Sequence, residues 1–107
     1  MKDIIELMGN KEILKIAKDI QLHYKPEKIV LFGSFAKGKA DKYSDIDFLV
    51  VKKTNERFLD RIKRIRRIVG PETPCDILVF TPQEFSKAKE SELIQEVTKT
   101  GKTLYEE

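Results

Sequence analysis

Apolar residues recur at helical spacing near the start of the chain, where they line one face of a predicted helix. These residues are Ile13, Ile16, Ala17 and Ile20. Their spacing predicts an amphipathic helix over residues 11–23. Asn10 is the expected N-cap of this helix, because its side chain can accept a hydrogen bond from the first turn. Pro26 ends any helical continuation.

Helix-end signals mark three further helices. The first carries an apolar stripe that consists of Phe58, Ile62, Ile65 and Val69. Gly70-Pro71 stops that helix. The sequence Thr81-Pro82-Gln83-Glu84 predicts the start of the next one, because it combines a capping threonine, a proline in the first turn and a glutamate three residues after the cap. Residues 91–100 are expected to form the last helix, which Gly101 ends.

Three short, mainly apolar runs predict strands over residues 29–32, 46–51 and 75–80. Such runs are typical of strands that are buried in the interior of a domain. Residues 102–105 are expected to run extended along the sheet. Because helices and strands alternate along the chain, the pattern predicts an α/β domain with a small central sheet.

Composition narrows the class of protein. The 107 residues are enough for a single domain over residues 1–107 with its own core. Charged residues make up 36% of the chain, but 21 basic residues against 18 acidic ones leave a net charge of only +3. This balance argues against a strongly cationic nucleic-acid binder.

The same composition bears on where the protein is found. The sequence has no apolar stretch near the roughly 20 residues of a membrane span, and its N-terminus lacks a signal-peptide pattern. Its single cysteine, Cys75, excludes an internal disulfide, which fits a reducing compartment. We therefore expect a cytoplasmic protein with no membrane association.

Three aspartates lie in or beside the predicted strands, where carboxylates are costly to bury. Asp45 and Asp47 are two positions apart, so they project from the same face of a strand. Asp76 would be about 5 Å to the side if its strand is the neighbouring one. Close carboxylates repel one another unless a cation binds between them. Their oxygens suit Mg²⁺, or Mn²⁺, and such a triangle can hold two ions about 3.5 to 4 Å apart.

Residues 31–38 and 44–50 resemble the signature of the minimal nucleotidyltransferases, which belong to the DNA polymerase beta-like nucleotidyltransferase superfamily. An apolar strand precedes Gly33-Ser34, ten residues, the Asp-x-Asp motif at residues 45–47 and a strand-borne Asp76. The resemblance covers nearly the whole chain and includes all three carboxylates, which implies an active enzyme. It also implies a mixed sheet flanked by helices, in the nucleotidyltransferase (polymerase beta palm-like) fold.

The resemblance implies a role for each of these residues. Asp45 and Asp47 would bind both metal ions, and Asp76 would hold the ion that activates the attacking hydroxyl. ATP is the expected substrate. Gly33 lets the backbone approach a phosphate with no Cβ in the way, and Ser34 can donate a hydrogen bond to that phosphate.

Basic residues occur at two further places. Lys37, Lys39 and Lys42 belong to the insert between the two motifs, where they could bind phosphate oxygens or form a solvated basic loop. Lys37 is the preferred phosphate ligand, because many relatives have a basic residue there. Four basic residues lie away from the apolar stripe of residues 58–69 and are expected to form a solvated surface. They are Arg61, Lys63, Arg64 and Arg67.

The length of the chain bears on which acceptor is modified. The chain resembles the minimal nucleotidyltransferase antitoxins encoded beside HEPN-domain ribonuclease toxins, which also consist of the catalytic core. In that family the enzyme transfers AMP from ATP to a tyrosine of the toxin. The resemblance therefore implies an Mg²⁺-dependent protein adenylyltransferase that silences a HEPN partner.

Two alternatives stay open. The protein could neutralise its partner by contact alone, without catalysis. It could also modify a small hydroxylated molecule, with the acceptor site formed between two subunits of a homo-oligomer. A nucleic-acid polymerase is the least favoured class, given the modest charge and the lack of a template-gripping segment.

Overall fold

Helices and strands alternate in the computed structural model, which describes residues 4–41 and 43–107, with side chains from residue 11 onward. In chain order the elements are α1 (Ile4–Tyr24), β1 (Lys28–Phe32), α2 (Ser34–Lys37), β2 (Ile46–Val51), α3 (Phe58–Val69), β3 (Cys75–Phe80), α4 (Pro82–Lys87), α5 (Glu92–Thr100) and β4 (Lys102–Glu106). The bounds of β2, β3 and α3 agree with the sequence prediction. The C-terminal segment lies in the sheet as β4, also as predicted.

The described strands form one sheet in the order β3-β2-β1-β4. β1 pairs antiparallel with β2 and with β4, whereas β2 and β3 run parallel. α3 connects the parallel pair, because parallel neighbours cannot be joined by a tight hairpin. The predicted class, an α/β fold with a small mixed sheet flanked by helices, is confirmed.

Side-chain alternation places apolar residues on both faces of the sheet. One face packs against α1 and α3, and its buried strand residues are Ile29, Leu31, Ile46, Phe48, Val50, Cys75, Ile77 and Val79. The opposite face packs against α4 and α5, and the buried residues of that cluster are Val30, Phe32, Leu49, Val51, Ile94 and Val97. β1 and β2 are therefore covered on both sides, which explains why their sequences are almost entirely apolar.

The first helix begins earlier than predicted. α1 starts at Ile4, and Gly9 and Asn10 lie inside it, so the prediction that Asn10 is its N-cap is wrong. A glycine in a helix interior costs only about 1 kcal/mol relative to alanine, and the preceding Leu7 and Met8 are good helix formers. One glycine therefore does not end a helix of 21 residues. Among the described helices, none has the length and apolarity needed to cross a membrane.

The predicted helix starts after β3 are confirmed. Thr81 Oγ1 accepts a hydrogen bond from the Glu84 amide at 3.1 Å, and Glu84 Oε1 accepts one from the Thr81 amide at 2.8 Å. Ser91 caps α5 by accepting a hydrogen bond from the Ile94 amide at 3.2 Å. These caps satisfy amides that have no partner within a helix. They fix the first turns of the two helices that cover one face of the sheet.

Arg61 is buried, so the prediction that it belongs to a solvated surface is wrong. Its side chain is only 7% exposed. The guanidinium donates to Glu84 Oε1 at 2.6 Å and to the carbonyls of Val79 at 3.1 Å and Glu56 at 2.8 Å. A buried charge needs such partners. Here they join α3 to β3 and to the first turn of α4.

Glu84→Gln should weaken this junction while keeping the capping hydrogen bond. The Arg61 guanidinium, with help from the Thr81 amide, holds the pKa of Glu84 below its ordinary value. The variant should lose about 1 kcal/mol of unfolding free energy at pH 7, because the Glu84 side chain is 46% exposed and the interaction is partly screened. The contribution should be fully present above the unfolded-state pKa of about 4.3 and disappear as the pH falls through the lowered folded-state pKa.

Urea unfolding of both proteins from pH 7 to pH 3 measures this difference. Glu90→Gln is the matched control, because Glu90 is exposed in the turn after α4 and its removal should change stability by less than about 0.5 kcal/mol. An equal loss in the two variants, or a loss independent of pH, would show that Glu84 does not support Arg61.

Candidate active site

The turn after β1 places the backbone directly against a carboxylate of β2. Phe32, the last residue of β1, is paired with Asp47, and Gly33 follows with a φ of +75°. A Cβ on Gly33 would collide with Asp47 Oδ2 and lie 3.3 Å from Asp47 Cγ. Glycine is needed on both grounds, since other residues rarely adopt this φ and a methyl group does not fit.

Ser34 opens α2 immediately after this turn and is half-buried. Ala36 is buried in the core and anchors the short helix to the sheet. Gly38 ends the helix in the left-handed conformation. The residues predicted to bind phosphate, Gly33 and Ser34, therefore lie in one anchored turn beside Asp47. Phosphate binding by them stays a prediction.

Asp47 and Asp76 lie side by side in the sheet. The parallel register pairs Asp47 of β2 with Asp76 of β3, and neighbouring strands are about 4.8 Å apart. Both residues alternate with members of the apolar cluster beneath α4 and α5, so their side chains lie on that face of the sheet. Asp47 is partly buried and Asp76 is exposed. The adjacency that the sequence analysis required of these two strands is present.

Asp45 is exposed and lies at the entrance to β2. A turn fixes the preceding segment, because the Ser44 amide donates to the Asp41 carbonyl at 3.1 Å and the Asp41 amide donates to the Ser44 hydroxyl at 2.9 Å. The Ile46 amide donates to the Pro74 carbonyl at 3.1 Å. These hydrogen bonds set where Asp45 leaves the turn and where β2 begins beside β3.

Negative charge is concentrated around Asp47. Burial raises the pKa of Asp47 above its ordinary value, and the carboxylates of Asp76, Asp45 and Glu96 raise it further. The three predicted aspartates are thus near enough to interact electrostatically. Glu96, from α5, adds a fourth carboxylate. An environment that disfavours the ionised form of Asp47 is one in which a bound cation would be favourable.

The donor set at this end of the sheet consists of carboxylate oxygens, which suit a hard cation such as Mg²⁺. Among the described side chains, residues 11–41 and 43–107, no three His, Cys, Asp or Glu residues are grouped so that they could hold a metal ion. Asp45, Asp47 and Asp76 therefore share one region without converging on a point. Because like charges repel, their convergence needs the charge of the cation itself. Metal binding by these residues stays a prediction.

One basic residue of the insert, Lys37, forms an ion pair in the structure. Lys37 Nζ donates to Glu96 Oε1 at 2.8 Å. Lys39 is exposed next to the end of α2, and Tyr43 is 81% exposed. Lys42 lies outside the described residues. The structure thus pairs Lys37 with a carboxylate at the rim of the candidate site.

Glu96 is a residue of this site that the sequence does not indicate. The burial of Ile94 and Val97 follows from the helical spacing of α5. Which face of the sheet α5 covers depends on the topology of the whole domain, so the sequence gives no reason to place Glu96 near Asp47. Its acidic character beside a predicted acidic cluster is the only signal, and on its own that signal is weak.

The chain is similar in sequence to a known class of proteins. The profile of the nucleotidyltransferase domain matches residues 11–102. The chain therefore belongs to the nucleotidyltransferase domain family and is a nucleotidyltransferase. Its relatives include MJ0141 of Methanocaldococcus jannaschii, a candidate protein adenylyltransferase, which is 32% identical over 101 residues. That match covers 92% of this chain and 96% of the relative, and the predicted superfamily resemblance is confirmed.

Solved structures show the same fold. A candidate nucleotidyltransferase from Sulfolobus solfataricus aligns with a TM-score of 0.70 at 23% identity, covering 98% of this chain and 90% of that one. A toxin–antitoxin structure with AMP-PNP aligns with a TM-score of 0.55 at 24% identity, covering 91% of this chain and 73% of that one. At these identities the likeness concerns the fold.

A comparison of Gly33→Ala with Gly38→Ala tests whether the close approach of Gly33 to Asp47 matters, beyond the strain of a positive φ. Both glycines have positive φ, but a Cβ on Gly38 would have no atom within 4 Å, whereas one on Gly33 would strike the carboxylate. Gly38→Ala should lose about 1 kcal/mol of unfolding free energy. Gly33→Ala should lose more, because its φ of 75° and ψ of −151° suit almost only glycine and its methyl group would strike Asp47. The Mg²⁺–ATP binding that the sequence predicts should weaken only in Gly33→Ala, by at least about ten-fold, because its methyl group displaces the Asp47 side chain.

Calorimetric titration of each variant with ATP in Mg²⁺, alongside urea unfolding, gives both quantities. Equal ATP affinity in the two variants would show that the approach of Gly33 to Asp47 does not matter for binding.

Asp47→Asn should stabilise the protein in the absence of divalent cations. Since the folded-state pKa of Asp47 is raised, its ionised form destabilises the fold above that pKa, and this penalty fades as the pH falls to the unfolded-state value of about 3.9. The gain at pH 7 should be below about 1 kcal/mol, because the group is partly solvated. Thermal unfolding in EDTA at pH 7 and pH 3.5 measures it.

Glu72→Gln, at an exposed turn position before β3, is the control for losing a negative charge and should leave stability unchanged. A lower melting temperature for Asp47→Asn than for the wild type, in EDTA at pH 7, would contradict the prediction that the ionised Asp47 carboxylate destabilises the fold.

Proposed function

We propose that this protein transfers AMP from ATP, with Mg²⁺ or Mn²⁺, to a tyrosine hydroxyl of a HEPN-domain toxin, and so acts as an antitoxin. The observation that carries the proposal is the pairing of Asp47 with Asp76 beside the Gly33 turn, within a chain of the nucleotidyltransferase family. Two carboxylates on adjacent strands can hold the metal ions of phosphoryl transfer, and the glycine beside them lets the backbone approach a phosphate.

Each residue has a defined part in this mechanism. Asp45, Asp47 and Asp76 would hold the Mg²⁺ ions, which when bound neutralise the triphosphate and lower the pKa of the acceptor hydroxyl. Gly33 gives the phosphates access to the backbone, and the Ser34 hydroxyl donates a hydrogen bond to them.

The transfer itself is a displacement at the α-phosphorus of ATP. The acceptor oxygen forms a bond to that phosphorus, the bond to the bridging oxygen of the β-phosphate breaks, and pyrophosphate leaves. Asp76 is exposed on an outer strand of the described sheet, so an acceptor hydroxyl can reach its carboxylate and pass its proton there. The chain contributes mainly positioning and charge neutralisation.

The choice of a protein acceptor has two supports. The relative that matches this chain over 96% of its own length is a candidate protein adenylyltransferase. The structure that shares the fold and contains AMP-PNP is a toxin–antitoxin complex. A toxin tyrosine is also consistent with an exposed catalytic edge, because a protein surface cannot enter an enclosed pocket.

Incubation with α-³²P-labelled ATP, Mg²⁺ and the protein encoded by the neighbouring gene tests the proposal. Label should appear on the partner and disappear when its acceptor tyrosine is replaced by phenylalanine. Asp47→Asn and Asp76→Asn should each reduce transfer by at least about 100-fold, since each removes a metal-binding carboxylate. Glu72→Gln should transfer at the wild-type rate.

Three results would contradict this function. Full inhibition of the toxin by Asp47→Asn and Asp76→Asn would indicate an antitoxin that acts by contact alone. Label on a small hydroxylated product would indicate a small-molecule transferase. No ATP-dependent product with either Mg²⁺ or Mn²⁺ would remove the enzymatic assignment.

A further inference from the structure

An ion pair links two elements at the rim of the candidate active site. Lys37 is the last residue of α2, and Glu96 lies on α5. Their charged groups are 2.8 Å apart, and their side chains are 35% and 38% exposed. The pair joins the helix that follows the Gly33 turn to a helix that packs on the sheet, although the two residues are far apart in sequence.

Glu96 is fixed in place by the core. It lies between Ile94 and Val97, which are 2% and 4% exposed and hold α5 against the sheet. Its carboxylate is also close enough to Asp47 to raise the pKa of that residue. Glu96 therefore has two electrostatic neighbours, the Lys37 ammonium and the Asp47 carboxylate.

Lys37 has a second potential partner in the proposed function. It follows Ser34 by one helical turn, so its side chain begins close to the turn where a triphosphate would bind. A triphosphate carries several negative charges, whereas Glu96 carries one. A partly exposed ion pair changes an equilibrium by no more than about five-fold, so it can be exchanged readily for a stronger partner.

We propose that Glu96 is a positioning residue that competes with the triphosphate of ATP for the Lys37 ammonium. The inference deepens the proposed function and rests on it, because it requires ATP at the Gly33 turn. Without nucleotide, Glu96 holds Lys37 against α5. When the triphosphate binds, it takes the ammonium and the ion pair opens.

ATP binding in EDTA tests this competition without any contribution from a divalent cation. Glu96→Gln removes the competitor and should tighten ATP binding by about two- to five-fold. In the transfer assay with Mg²⁺, the same variant should lower the KM for ATP by a larger factor than it changes kcat, because the competition for Lys37 acts on nucleotide binding.

Two further variants separate competition from a general effect of charge. Glu92→Gln removes a carboxylate one turn earlier on α5 and reports the effect of losing one negative charge. In a Lys37→Met background, Glu96→Gln should produce no more than that effect, because no ammonium is left to release. The comparison is a double-mutant cycle on the ion pair.

The outcomes are distinguishable. A gain in affinity that depends on Lys37 supports the inference. A gain of the same size in the Lys37→Met background, or no gain at all, overturns it and leaves the proposed function standing. Wild-type protein that binds no ATP, with or without Mg²⁺, overturns both the inference and the proposed function.

Discussion

The in-register pairing of β2 with β3 is the constraint on which the rest of the structure depends. It places Asp47 beside Asp76 and, at the next position, Phe48 beside Ile77. A shift of one residue would turn Asp76 toward the apolar cluster under α1 and α3 and would separate it from Asp47. The two apolar faces therefore do more than stabilise the sheet. They fix which carboxylates are neighbours, so packing and candidate chemistry have the same origin.

The fold holds this acidic region together against its own repulsion. Burial and three neighbouring carboxylates all raise the pKa of Asp47. The Lys37 ammonium balances the charge of the Glu96 carboxylate. Apolar burial on both faces of β1 and β2 can offset such a cost, because each buried aliphatic side chain contributes about 1.5–3 kcal/mol. Carboxylates that are held together at a cost in stability form a region in which a bound cation would be favourable.

Much of the fold follows from local patterns. The run over residues 46–51 and the stripe over residues 58–69 predict their elements, because length and periodicity are local properties. The sequence predicts Asp76 beside Asp47 only if their strands are neighbours, and the parallel register of β2 and β3 meets that condition. The prediction that Arg61 is solvated failed because the burial of this residue depends on long-range contacts. Arg61 is buried by partners on β3 and α4, and a helical wheel drawn for α3 alone contains neither of them.

β3 is an outer strand of the described sheet, and this has a consequence for recognition. In the proposed function Asp76 receives the acceptor at a margin where no further described strand limits access, so the dimensions of an enclosed cavity would not select the acceptor. Discrimination among acceptors would then come from the surface that docks around that margin. Two nucleotidyltransferases of this architecture could share the same metal and phosphate ligands and still modify unrelated macromolecules, with divergence confined to side chains outside the chemistry.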